Sequence, residues 1–223
     1  MKERPIPFTG ESVRTILDGQ KTQTRRVITL ARRWEMGERA DGGPWPYYPE
    51  YVTGEPECLD AACRYGQAGD RLWVRETWTP SVIDPEGGCF EEDPRNFDIV
   101  YRADGDDAYW AAHWTRDTVV RGRAVATPCT PKWRSPRFMP RWASRLTLAV
   151  TGVRVERVQD ISEDDAVAEG VTRLETGKFA ARSQYRILWN ALNAKRGYGW
   201  DANPWVWVIE FQRATVASEV RHG

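Results

Sequence analysis

The chain has 223 residues, 32 Lys plus Arg against 32 Asp plus Glu, and twelve tryptophans. Such a length supports one sizeable core. The balanced charge selects no polyanionic or polycationic partner, and no apolar run is long enough to cross a bilayer. Four scattered cysteines (Cys58, Cys63, Cys89, Cys129) form no CxxC pair, and His113 and His222 are remote from one another. Neither set has the spacing of a zinc site, so no metal and no cofactor are expected, and the thiols are expected to be reduced. The start, Met1-Lys2-Glu3-Arg4-Pro5, has no apolar stretch of the signal-peptide kind, so the expected location is cytoplasmic. Nothing here reads out an oligomeric state.

In chain order, Pro5–Phe8 is a short strand candidate. Val13, Ile16 and Leu17 repeat at helical spacing up to Asp18, with Thr9 or Ser12 as the cap. Gly19 supplies the left-handed stop, and Thr22–Ile28 is a strand candidate. Lys21 therefore sits at a helix-to-strand junction, either as a basic turn or as a side chain aimed into a cleft. From about 30 to 66 the chain reads as an insertion. Gly42-Gly43-Pro44, Pro46, Pro49, Gly54 and Pro56 are expected to break any regular element, and Trp45, Tyr47, Tyr48 and Tyr51 to order the segment in part.

Gly69-Asp70 is a turn that leads into a strand with Leu72 and Val74 on one face. Glu76 and Trp78 share that parity. Glu76 reads either as the partner of an arginine or as a carboxylate for a base edge, with Trp78 as the platform. Residues 79–96 read as a long loop, Phe97–Arg102 as a strand and Asp104–Asp107 as an acidic turn. Residues 121–145 hold seven basic and no acidic side chains, whereas 84–107 hold nine acidic and two basic. The basic run ends in Met139-Pro140-Arg141-Trp142-Ala143-Ser144-Arg145, where two arginines flank a tryptophan. That set suits a phosphate and a stacked base, and equally a loop whose tryptophan plugs the core.

Leu146–Val158 alternates in two halves that turn at Thr151-Gly152, giving a long or bent strand pair. Ile161–Gly170 is a helix with Ser162 as N-cap and three acids in its first turn. Glu169 then faces the negative end of that helix, where a carboxylate is disfavoured, a placement that suits a general acid. Ser183–Ala194 is an amphipathic helix with Tyr185, Leu188, Trp189 and Leu192 on its apolar face. Trp205–Phe211 is apolar on both faces and therefore a central strand. Residues 214–223 read as a flexible tail.

Gly19-x-Lys21-x-x-Thr24-x-Arg26 resembles the signature of the ASCH domain, a member of the PUA-like group. Ile161-Ser162-Glu163-x-x-Ala166-x-x-Glu169 is similar to the Leu-Thr-Glu-x-x-Ala-x-x-Glu segment of those ASCH proteins that remove the acetyl group from N(4)-acetylcytidine. The Gly69-Asp70 turn and the closing Val208-Ile209-Glu210-Phe211 fit the same frame. Residues 69–76 and 139–145 resemble blocks of phage and prophage ASCH proteins.

The resemblance implies an α+β fold, a PUA-like twisted β-barrel with a few flanking helices and long inserted loops. A single domain would span 1–213, with insertions at about 30–66 and 79–140. It implies an amidohydrolase acting on the N4 amine of an acylated cytosine, with Lys21, Thr24 and Glu169 as catalytic residues. Thr22, Arg26, Arg75, Glu76, Trp78, Arg141, Trp142 and Arg145 would bind the substrate. The expected partner is a modified nucleoside or nucleotide, RNA or single-stranded nucleic acid, and no membrane. A non-catalytic module that binds RNA or a modified base is the alternative, and a ribonuclease ranks third. Lys21 and Thr24 are three apart, so for both to face one pocket Lys21 must precede the strand or a bulge must intervene.

Overall fold

The computed structural model describes residues 1–29, 35–38, 42–47, 63–80, 99–105, 114–120, 123–129, 133–172 and 180–214. Several sequence expectations lie outside them: Cys58, Cys89, Tyr48, Tyr51, His113, His222, residues 81–98, Asp106, Asp107 and the tail from 215. In chain order the elements are β1 (Glu3–Pro7), α1 (Gly10–Leu17), β2 (Gln23–Val27), β3 (Glu35–Glu38), β4 (Pro44–Tyr47), β5 (Arg71–Arg75), β6 (Trp78–Pro80), β7 (Ile99–Tyr101), β8 (Trp114–Val120), β9 (Arg123–Cys129), β10 (Thr147–Arg157), α2 (Glu163–Ala168), α3 (Ala181–Asn193) and β11 (Trp205–Arg213). This is an α+β fold. No described helix is long and apolar enough to cross a membrane. The elements belong to two compact units, one of residues 1–4, 15–72 and 147–223, the other of 5–14 and 73–146.

The five-stranded sheet has the order β1-β5-β10-β11-β2, and its strands β10, β11 and β2 lie in the first unit. β11 lies between β10 and β2, as its two apolar faces require. β10 is one continuous strand and not two halves joined by a turn. Val150 pairs with Phe211 and Gly152 with Glu210, so Thr151 is the extra residue of a bulge. The bulge absorbs the odd step between Val150 and Val153 that looked like a turn in the sequence. It keeps Val150, Val153 and Val155 on one face, opposite Phe211, Ile209 and Trp207.

The other face of β11, Val206 and Val208, packs on Val158, Ile161, Ala166, Val171, Tyr185, Trp189 and Trp200. Ser162 caps α2 by accepting from Asp165 N at 3.0 Å. In α3 the buried line runs Ala181, Tyr185, Trp189, Asn193, whereas Leu192 is exposed. The reason is the return of the chain along that side: Trp189 Nε1 donates to Tyr198 O, and Trp200 N donates to Asn190 Oδ1.

Within the first insertion, β3 and β4 pair antiparallel despite their glycines and prolines. Pro44 and Pro46 are two apart, so both turn the position of the missing N–H to one edge, which a two-stranded ribbon leaves unpaired. In the second unit β6 pairs with β7 and β8 with β9. Residues 79–80, the start of the expected loop, are therefore strand. Trp78 is bridged to Arg134 and packs with Met139 and Ala143.

Candidate active site

The segment from Thr9 to Thr22 around Lys21 forms as its residues dictate. Thr9 Oγ1 accepts from Ser12 N and so caps α1. Gly19 takes φ 75° after α1, and the N–H groups of Gln20 and Lys21 both donate to Thr15 O. Thr22 N then donates to Ala168 O at 2.8 Å, while Thr22 O accepts from Phe211 N. These backbone bonds hold Lys21 beside the end of α2, where Glu169 is the C-cap.

Lys21 Nζ donates to Glu169 Oε2 at 2.7 Å and to the Glu169 carbonyl at 2.6 Å. Both residues are buried, at 5% and 6% exposure, although 148 positions apart in the chain. Burial pushes the Lys21 amine below its ordinary value; Glu169 opposes that push, and the positive Arg26 and Arg25 add to it. Tyr185 closes the pair on another side. Burial raises its phenol well above its usual value, as does the Glu169 carboxylate with which it interacts.

Arg25, with no exposed side-chain surface, reaches Glu169 Oε1 at 3.5 Å, Glu156 Oε2 at 2.9 Å and Asp165 Oδ2 at 3.1 Å. Gln23 Nε2 donates to Asp165 Oδ1 at 2.9 Å. Burial pushes Asp165 up, but Gln23, Arg25 and Arg154 outweigh it and hold the carboxyl below its usual range.

Gly170 makes the close approach possible. Its φ is 88°, and a β-carbon there would stand 2.7 Å from Thr15 Oγ1 and 3.2 Å from Lys21 Cβ. Gly197 has a similar φ of 83° but open space around it. Both alanine variants carry backbone strain of about 1–3 kcal/mol, and Gly170→Ala is expected to lose more than Gly197→Ala because its β-carbon also meets Thr15 and Lys21. Equal losses in urea denaturation would show that the contact with Thr15 and Lys21 is not tight.

The other predicted residues fall as follows. Lys21 precedes β2, so strand alternation does not govern its direction. Thr24 is buried and pairs with Ile209. It alternates with Gln23 and Arg25, and so lies on the other face of β2 from those two. Arg26, half-buried, shares the parity of Thr24, and Thr22 is exposed.

The remaining six belong to the second unit. Glu76, 1% exposed, is held by Arg145 through Nε–Oε1 at 3.0 Å and Nη2–Oε2 at 3.1 Å. Arg145 also bonds Asp104 at 2.7 Å and lies 4.0 Å over the Tyr101 ring. Burial pushes the Glu76 carboxyl up, with Arg145 opposing. Trp78 is buried against the exposed Trp142, ring centres 6.0 Å apart and edge to face. Arg75 and Arg141 lie 4.5 and 6.0 Å from the Trp73 ring. Of the two readings open for Glu76, the arginine partner is the one its contacts satisfy.

Sequence reading missed Tyr185 as a neighbour of Glu169, placing it only on an apolar helix face. The signal was there: a buried tyrosine hydroxyl needs a polar partner. It also missed Gln23, Glu156 and Asp165 as the surroundings of Arg25; these lie on three different elements, and no local pattern joins them. Comparison of the chain with protein-family models, curated proteins and solved structures returned no match.

Proposed function

We propose that the chain is an amidohydrolase of ASCH type, on a PUA-like β-barrel frame, that removes an acyl group from the N4 amine of a modified cytosine. The observation that carries this reading is the buried Lys21–Glu169 pair. The 2.7 Å contact lets the Lys21 proton pass directly to Glu169, which leaves a free amine beside a carboxylic acid at the moment of reaction. The amine is then a base and the acid a proton donor.

In the proposed reaction the Thr24 hydroxyl, or a water that it orients, loses its proton to Lys21 and its oxygen bonds to the acyl carbon. As the C–N bond breaks, Glu169 gives its proton to the departing N4 amine. Lys21 then returns a proton to Glu169 directly. Where Thr24 itself attacked, water cleaves the Thr24 ester, its proton passing through Lys21 to the Thr24 oxygen, so that by either route amide and water become carboxylic acid and cytosine amine. The test is release of acetate from N(4)-acetylcytidine, followed by mass spectrometry. Turnover that is lost in both Lys21→Ala and Glu169→Gln is the expected result. Absence of turnover by the wild-type protein at high concentration would overturn the reading.

A binding module without chemistry is favoured by one separate observation in the second unit. Phe138 and Trp142 are exposed aromatics four residues apart, in the described stretch 133–145, which holds four arginines and no acid. Exposed rings among arginines are what stacked bases and phosphates require.

A further inference from the structure

We propose that Arg25 is a positioning residue for the Lys21–Glu169 pair, anchored in that role by Arg154 through the carboxylates between them. The inference rests on the reading of the pair given above. The Arg25 guanidinium is wholly enclosed, and its two ends do different things. Nη2 is fixed by Glu156 and Asp165 at 2.9 and 3.1 Å. That leaves Nη1 facing Glu169 Oε1 at 3.5 Å, a contact that is electrostatic more than hydrogen-bonded.

Glu169 thus has one oxygen turned to Arg25 and the other committed to Lys21. A carboxylate held at both oxygens cannot swing away from the amine. A planar guanidinium is the side chain that can bridge three carboxylates in one orientation.

The anchoring continues outward. Arg154 of β10 donates to Asp165, to Glu156 and to Glu210. Side-chain exposure climbs along the series: 0% at Arg25, 22% at Glu156, 27% at Asp165, 36% at Arg154 and 46% at Glu210. The signs alternate from the buried amine to solvent, so each charge is opposed by the next. The groups around the pair from all sides are Arg25 and Arg26 of β2, Tyr185 of α3 and, beyond Arg25, Asp165 of α2 and Glu156 of β10.

The chain has five lysines, Lys2, Lys21, Lys132, Lys178 and Lys195, few enough for titration of ε-carbon-labelled lysine by NMR. The Lys21 signal is assigned by its loss in Lys21→Met. Arg25→Gln removes a like charge from beside the amine and frees one Glu169 oxygen, so the Lys21 titration should move to higher pH. Arg154→Gln should move it the same way by less, because Arg25 is then drawn toward carboxylates left unopposed. On N(4)-acetylcytidine, Arg25→Gln should lower kcat about 100-fold through misplacement of Glu169, with KM little changed.

A folded Arg25→Gln protein whose Lys21 titrates as in the wild type would overturn the proposal, leaving Arg25 only structural. Should Arg25→Gln not fold, the half-exposed Arg154→Gln decides, and an unmoved Lys21 signal there overturns it equally. A shifted titration with no turnover by any form, wild type included, supports the positioning and rejects the amidohydrolase reading alone.

Discussion

Lys21→Met and Glu169→Gln are each expected to remove most turnover, by about 10²–10⁴-fold, with the double variant little worse than either single. Groups that pass one proton between them fail together, so their losses do not multiply. Lys21→Arg should not rescue, since a guanidinium keeps its proton at any working pH.

Stability should show the same coupling. Removing one partner of a buried ion pair costs about 3–5 kcal/mol, because the survivor is left buried and unopposed. The double variant should recover part of that, giving a coupling of up to about 3 kcal/mol in urea denaturation. The pH dependence identifies the amine. Because the folded protein holds Lys21 below its ordinary value of 10.5, the unfolded chain binds more protons in the window between the folded value and 10.5. Stability due to this group therefore rises with pH through that window. Lys21→Met should flatten that rise, and Glu169→Gln should widen the window, since Glu169 is what opposes the burial. Additive losses in both activity and stability would mean that the two residues do not act as a unit.

What the sequence made legible was whatever depends on near neighbours. Gly19, the Ser162 cap, the end of α2 at Glu169-Gly170 and the interior placement of β11 all follow from residues within a few positions, and they place Lys21 and Glu169 at element ends. The resemblance added that these two ends belong to one site. Legibility failed where the cause was distant. The odd step between Val150 and Val153 reads as a turn until the ladder to β11 makes Thr151 a bulge. Leu192 fits the apolar stripe, but the segment Tyr198–Trp200 folds over Asn190 and Trp189 instead. In the sequence Arg25 is one more basic residue beside Arg26, and only the arrival of Glu156, Asp165 and Glu169 from other elements gives it a separate role. For closure of the sheet into a barrel, the reading proposed above rests on motifs and not on strand pairing.

Arg145→Glu is expected to unfold or severely weaken the second unit, whereas Arg141→Glu, at an exposed position, should cost clearly less. The resemblance treats the two arginines alike, as substrate-binding residues. Their surroundings separate them. Arg141 lies on an exposed 3₁₀ turn. Arg145 is forked onto Glu76, a residue with 1% exposure whose backbone N–H donates to Met139 Sδ. Reversal at 145 replaces a bidentate partner by a second negative charge, and stranding a buried carboxylate costs about 3–5 kcal/mol. Burial already pushes the Glu76 carboxyl upward, and loss of Arg145 removes the main opposition to that push. The folded variant then binds more protons than the unfolded chain between the ordinary carboxylate value and the raised one. Its deficit should be full above the raised value and shrink as pH falls through it. Thermal denaturation followed by circular dichroism across that range is the measurement. A loss no greater for Arg145→Glu than for Arg141→Glu would show that the Glu76 fork does not hold the unit together. The stable Arg141→Glu protein is then the clean probe of binding: salt-dependent affinity for single-stranded nucleic acid should fall in it if Trp142 and its arginines form a contact surface, and stay unchanged if they do not.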